Sequence, residues 1–310
     1  MANGEALFRM QKKKLVILAA ITGGSQQDRD GANVPCTPAE IADEALRCYK
    51  AGASVVHIHA RDPKDRKQPT GDLNVFKDII NRIRDKCDIL IQTTNGIGSR
   101  HDPSTGKIIR PTEDERLGVL TIEPRQDLYS IAGGSWDFYH PGVPGKNEFS
   151  FANPTDFLRK YISGVMATGG ALEFEITEAS ALTKLRRLAD EGVFNAQESR
   201  FWFDYCLGFG GLPATPRALV YAIDEAQRLF PNAKWQICAT HTDQFPMSTV
   251  AMAMDCDIVR VGFEDNIHMP DGSVAHNNGE LVGAIADIGR TFGREPASVA
   301  EARQVFGIGN

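Results

Sequence analysis

Cysteine is sparse in these 310 residues. The six present, Cys36, Cys48, Cys87, Cys206, Cys238 and Cys256, lie far apart with no Cys-x-x-Cys pair. That spacing argues against a disulfide framework and leads to an expectation of reduced thiols in a cytoplasmic protein. Positive charge is also short: 34 Lys and Arg against 40 Asp and Glu leave a net charge of −6. No basic stripe suited to a nucleic-acid partner follows from such a balance. No run approaches the roughly 20 apolar residues needed to cross a membrane. Lys12 to Lys14 followed by the short apolar run Leu15–Ile21 resembles the start of a secretory signal. The run is brief, however, lacks a small-residue cleavage site and suits a buried strand better. A glycine-rich dinucleotide fingerprint is missing as well, since the first strand-turn reads TGGSQQ.

What the chain does have is 42% hydrophobic residues, ample for a large core. Apolar, strand-like runs recur at 14–22, 54–60, 88–94, 127–133, 171–177, 201–208, 235–240 and 257–263. Helical patterns lie between them. Thr37, Thr112, Pro154 with Thr155, and Thr215 mark helix starts, and several units end in glycine, as at AGA, TGG and EGV. Eight strand-helix units in this length predict a (β/α)₈ barrel forming a single domain over 1–310, with a doubly wound sheet as the competing α/β architecture.

In such a barrel the C-terminal strand ends form the active site. Those ends carry Thr22, His57, His59, Thr93, Thr94, Ser130, Glu173, Glu175, Thr177, Asp204, Thr240, His241, Arg260, Glu264 and Asp265. In VVHIHARDP (55–63), alternation puts His57 and His59 on one face of a strand, where both imidazoles can bind one ion. The alternative is a strand end whose histidines bond only to neighbours. In DIVRVGFEDN (257–266), Arg260, Gly262 and Glu264 share one parity, so Glu264 faces the histidines if the extended geometry persists. Two His and one carboxylate with open positions describe a catalytic Zn²⁺ site, and the same set suits Fe(II). A loop pair bonded to Arg61 or Asn266 is the other reading of Glu264 and Asp265.

The motifs ITGG (21–24), NVPCTPAEIADEA (33–45), AGASVVHIHARD (51–62), IQTTNG (91–96), AGGSWDF (132–138), LEFEITE (172–178), LGFGGLPATP (207–216), VRVGFEDN (259–266) and NGELV (278–282) together resemble the β-keto acid cleavage enzyme family, whose founding activity is 3-keto-5-aminohexanoate cleavage. The resemblance implies a zinc-dependent (β/α)₈ enzyme that converts a β-keto acid and acetyl-CoA into acetoacetate and a new acyl-CoA. By position it implies His57, His59 and Glu264 as metal ligands, and Asp265, Arg260 and Thr94 as catalytic residues. Thr93, Asn95, Gly96, Ser130 and Glu175 are then the substrate-binding candidates, and a dimer or tetramer is expected. A barrel hydrolase of the amidohydrolase type is the alternative, although its His-x-His sits on the first strand and further His and Lys ligands are not evident here.

Two departures bear on the substrate. Ser25 stands where the amino-keto-acid enzyme has a Glu suited to an ammonium group, and Ala132 replaces an Asn, so an amine-bearing substrate is not expected. The long segments 96–118 and 148–154 are expected to act as lids or subunit contacts. Trp136 and Phe138 are candidates for an apolar wall. LGFGGLPATP and His241 are candidates for the CoA side, with a tight turn and an ordinary loop residue as their simpler readings.

Overall fold

Eight parallel strands follow one another in chain order and then close on themselves. In the computed structural model, which describes residues 13–24, 31–101, 105, 108–139 and 148–309, these are β1 (Val16–Ala20), β2 (Val55–Ile58), β3 (Leu90–Thr93), β4 (Leu128–Ala132), β5 (Ala171–Ile176), β6 (Phe201–Leu207), β7 (Lys234–Ala239) and β8 (Ile258–Val261). β8 returns to pair with β1, Val16 opposite Ile258 and Leu18 opposite Arg260, so the sheet is a closed barrel. Each predicted strand is present, and the doubly wound alternative falls. The strands are buried on both faces, which is why they read as continuous apolar runs rather than alternating ones.

The helices are α1 (Pro38–Ala51), α2 (Leu73–Arg84), α3 (Glu113–Leu117), α4 (Thr155–Thr168), α5 (Ala179–Asp190), α6 (Pro216–Leu229), α7 (Gln244–Ala253), α8 (Asn278–Thr291) and α9 (Val299–Phe306). Thr37 and Thr112 each close a capping box with a Glu three residues on, and the Thr215 hydroxyl accepts from Ala218 N. The fourth start differs from expectation. Thr155 is already helical, and Pro154 takes the cap position without a side-chain bond. Gly52 (φ 115°), Gly169 (φ 82°) and Gly192 (φ 80°) adopt the left-handed conformation that the AGA, TGG and EGV stops anticipate.

Two apolar layers divide the core. The larger lies between strands and helices. The smaller fills the lower barrel with Val16, Leu18, Val55, Leu90, Leu128, Trp202 and Ile258, and α9 closes it from below through Ala302 and Phe306. The Trp202 and Phe306 rings sit 4.6 Å apart, a contact worth about 0.5–1.5 kcal/mol beyond the area it buries. With its floor filled by hydrocarbon, the barrel opens, among the described residues, at the C-terminal strand ends. There the connections carry antiparallel hairpins: Arg61–Asp62 with Asp65–Pro69, Arg100–His101 with Ile108–Ile109, and Trp136–Tyr139 with Glu148–Phe151. The suspected signal run is β1 itself, and no helix among the described residues is long and apolar enough to cross a membrane.

Candidate active site at the barrel mouth

His57 is the last inward residue of β2, level with Ala20 on one side and Gln92 on the other. Its Nδ1 bonds to Gln92 Oε1 at 2.6 Å. An amide oxygen only accepts, so the ring proton sits on Nδ1 and the Nε2 lone pair turns toward Glu264, 3.7 Å away. Burial, joined by Arg260 and His59, lowers His57 to about 3 and keeps the imidazole neutral. His59 lies one strand step higher, its Nε2 3.3 Å from Glu264 Oε1.

Glu264 arrives by a different route from the one its parity suggests. β8 ends at Val261, and the chain turns at Gly262, where Asp265 N and Asn266 N both donate to the Gly262 carbonyl. Gly262 has φ 142°, and a Cβ there would sit 2.2 Å from Ala20 O, so only glycine lets β8 pass so close to β1. Glu264 N then donates to that same Ala20 oxygen, which anchors the carboxylate over the histidines. Asn278 locks the turn from outside, accepting from Phe263 N at 2.7 Å and donating to Ile21 O.

The donor set suits a metal. Donor atoms of His57, His59 and Glu264 all lie within 4.8 Å of one another. Zinc bonds of about 2.0–2.2 Å in a tetrahedron place ligand atoms about 3.3–3.6 Å apart, close to the 3.3 and 3.7 Å separations here. A neutral nitrogen lone pair directed at a carboxylate gains nothing by itself, whereas a cation between them satisfies both. Gln92 supplies the outer hydrogen bond that ligating histidines usually have.

Beside this triad, Arg260 grips Asp265 with two bonds, Nε to Oδ2 at 2.8 Å and Nη2 to Oδ1 at 3.0 Å, and reaches Glu264 Oε1 at 2.8 Å. Burial raises Glu264, but Arg260 and the histidines outweigh it and hold the carboxyl well below the ordinary range. Asp265 goes the other way, raised by burial despite Arg260. Further inward, Glu173 and Glu175 are each pushed up to about 8, chiefly by burial, and Asp204 to about 7 for the same reason.

The predicted site residues separate into two groups. Thr94 stays at the mouth, its Oγ1 accepting from Gly96 N at 2.9 Å. Gly96 borders it, and Ser130 and Glu175 are on the inner face, level with Glu173 and Asp204 respectively. Thr93 and Asn95 are not brought to that face. Thr93 pairs with Ile58 and Tyr129, both in the layer under the helices, so alternation turns it outward. Asn95 Oδ1 accepts from Arg116, which also donates to Asn153 Oδ1 at 2.6 Å and Ala152 O at 2.9 Å while lying between the Phe151 and Phe157 rings. Arg116 thereby ties the β3 connection to the end of the β4 hairpin. Sequence reading missed it because its partners are neutral and distant in the chain. Gln92 was legible in principle, since it shares inward parity with Thr94.

Several peripheral expectations are placed too. Trp136 packs edge-on against Phe209, their ring centroids 6.4 Å apart, while Ser25 and the Phe138 side chain lie outside the described residues. In LGFGGLPATP a Cβ on Gly211 would meet Thr177 O at 2.1 Å, so close backbone approach accounts for that glycine. His241 takes a left-handed φ of 55°, its N donating to Asp265 O at 2.8 Å, which couples the β7 loop to the Asp265 turn.

Comparison with known proteins adds to this geometry. The family model described as beta-keto acid cleavage enzyme matches residues 14–308. The chain is 33% identical to the 3-keto-5-aminohexanoate cleavage enzyme of Acetoanaerobium sticklandii over 298 residues, 96% of this chain and 99% of that one. It is 28% identical to the 3,5-dioxohexanoate:acetyl-CoA acetone transferase of Paraburkholderia graminis, covering 95% and 96% of the two chains. Among solved structures, the binary complex of ObcA with oxaloacetate superposes with a TM-score of 0.71 at 18% identity, over 89% of this chain and 68% of that one, a likeness of fold.

Proposed function

Since the chain belongs to the beta-keto acid cleavage enzyme family, we propose that it exchanges acyl groups between a β-keto acid and acetyl-CoA, giving acetoacetate and the CoA thioester of the remaining acyl chain. The observation that carries this reading is the donor triad His57, His59 and Glu264 set directly against the Arg260–Asp265 pair. A zinc ion held by the triad would supply Lewis acidity toward the ketone and carboxylate oxygens of the substrate.

The remaining work falls to side chains. Asp265 takes a proton from the carbon between ketone and carboxylate. Its burial strengthens it as a base, and Arg260 fixes both its oxygens so that the acceptor is aimed. The resulting carbanion attacks the acetyl thioester carbonyl, forming a carbon–carbon bond and releasing CoA thiolate. The thiolate adds to the original ketone carbon, the bond from that carbon to the former carbanion breaks, and Asp265 returns its proton to the acetoacetate released. Thr94 and Ser130 offer hydroxyls to the substrate's polar end. The acyl chain carries no amine in this reading, and the enzyme assembles as a homo-oligomer. Family membership favours acyl exchange over the hydrolase alternative.

Carbon labelling tests the bond changes. With acetyl-CoA labelled in its acetyl group and a panel of neutral, acidic and cationic β-keto acids, mass spectrometry should find label in acetoacetate and none in the new acyl-CoA. His57→Ala should abolish both products. Product formed without CoA ester would instead establish hydrolysis.

A further inference from the structure

Around Arg260 the barrel holds more carboxyl groups than that guanidinium can pair. Glu173, Glu175, Asp204, Glu264 and Asp265 all lie within its electrostatic reach. Its donors are committed to Asp265 and Glu264. Glu173 and Asp204 are left over, and of the two it is Asp204 that has sulfur donors for neighbours. It is fully buried, and its Oδ1 has no hydrogen-bond partner. A buried carboxylate in that position needs a proton or a cation.

Two thiols stand beside it. Cys206 and Cys238 face each other in register on β6 and β7. Cys206 Sγ is 3.6 Å from Asp204 Oδ2, and one donor atom from each of the three residues falls within 4.8 Å of the others. In a tetrahedral site with metal–sulfur bonds of about 2.3 Å, ligand sulfurs are about 3.8 Å apart, so the cluster closes on an ion with small side-chain adjustments. Cys206 keeps 7% of its surface exposed near the C-terminal end of β6, which gives an approach from the mouth. None of these residues has a part in the acyl exchange described above.

We propose that Asp204, Cys206 and Cys238 form a second metal site, selective for a soft divalent cation such as cadmium or excess zinc, distinct from the histidine–glutamate triad. Thiolate ligands set that preference, because soft sulfur favours soft metals while the triad offers only nitrogen and oxygen. The site also lies close to the reaction centre, since Cys238 is within electrostatic reach of both Asp265 and Arg260. Occupancy replaces the Cys238 proton with a cation near Arg260 and Asp265. Soft metals therefore inhibit the enzyme from within the barrel.

Cadmium titration of the full chain, reduced with a phosphine and preloaded with zinc, reads the site without reference to activity. The expected result is an ultraviolet thiolate-to-cadmium band saturating at one further equivalent, kept in His57→Ala and lost in Cys206→Ala/Cys238→Ala. No band in the parent protein, or a band retained in the double variant, overturns the proposal. Cadmium anomalous scattering from crystals of the unsubstituted protein needs no variant to fold. A peak bounded by Asp204, Cys206 and Cys238 supports the site, and cadmium confined to His57, His59 and Glu264 refutes it.

Discussion

Arg260 and Asp265, five residues apart, meet through two parallel hydrogen bonds of 2.8 and 3.0 Å because the chain folds back at Gly262. Asp265→Asn preserves the shape but removes the proton acceptor. Turnover should fall about 10²–10⁴-fold with bound metal unchanged. Near-normal kcat in that variant would rule out Asp265 as the base.

Gln92 holds the outer nitrogen of His57 and so fixes which nitrogen faces Glu264. Gln92→Leu should weaken zinc affinity by about 10–100-fold, measured by competition with a chelating dye. Unaltered affinity would mean that the imidazole is oriented by its packing alone.

Gly262→Ala forces a side chain onto Ala20 O from a backbone conformation that L-residues avoid. Conformational strain alone costs about 1–3 kcal/mol, and the clash adds to it. Thermal melting should fall by several degrees, with loss of bound metal as Glu264 shifts. An unchanged melting curve would show that the turn relaxes freely.

Glu173 provides a pH test in chelator-treated protein. Burial raises it from 4.5 to about 8, so the folded state holds a proton that the unfolded chain gives up. The group's contribution to stability is complete below about pH 4.5 and is lost as pH rises toward about 8. Glu173→Gln, which carries its hydrogens permanently, should gain stability relative to the parent protein across that window. Parallel melting temperatures from pH 5 to 8 would contradict the assignment.

Arg116 gives its hydrogen bonds to uncharged oxygens of Asn95, Ala152 and Asn153. Arg116→Met keeps much of the stem against Phe151 and Phe157 but strands those acceptors, at about 1–3 kcal/mol each where they stay dry. Proteolysis within 148–153 should accelerate. Cleavage at the parental rate would show that the hairpin is held elsewhere.

Barrel closure could be read from sequence because its signals are local: apolar runs of strand length, threonine caps and glycine stops. The grouping of the candidate metal donors was half legible. His57 and His59 follow from the two-residue period of a strand, but Glu264 reaches them through a turn that strand parity does not describe. Thr93 and Asn95 show the opposite failure. Adjacent in sequence to Thr94, they face the helices, because each step along a strand reverses direction. Arg116 and Asp204 depend on contacts between distant segments, which no short window of sequence displays.

The floor of the barrel has a temporal meaning. α9 follows all eight strands in the chain, yet Phe306 covers Trp202 and Arg303 reaches Asp127 beneath β4. During synthesis the strands emerge before their plug, so Trp202 and the apolar side chains around it have no cover from below until α9 is made. Docking of α9 completes the dry layer that separates Glu173 and Asp204 from the water beneath the barrel.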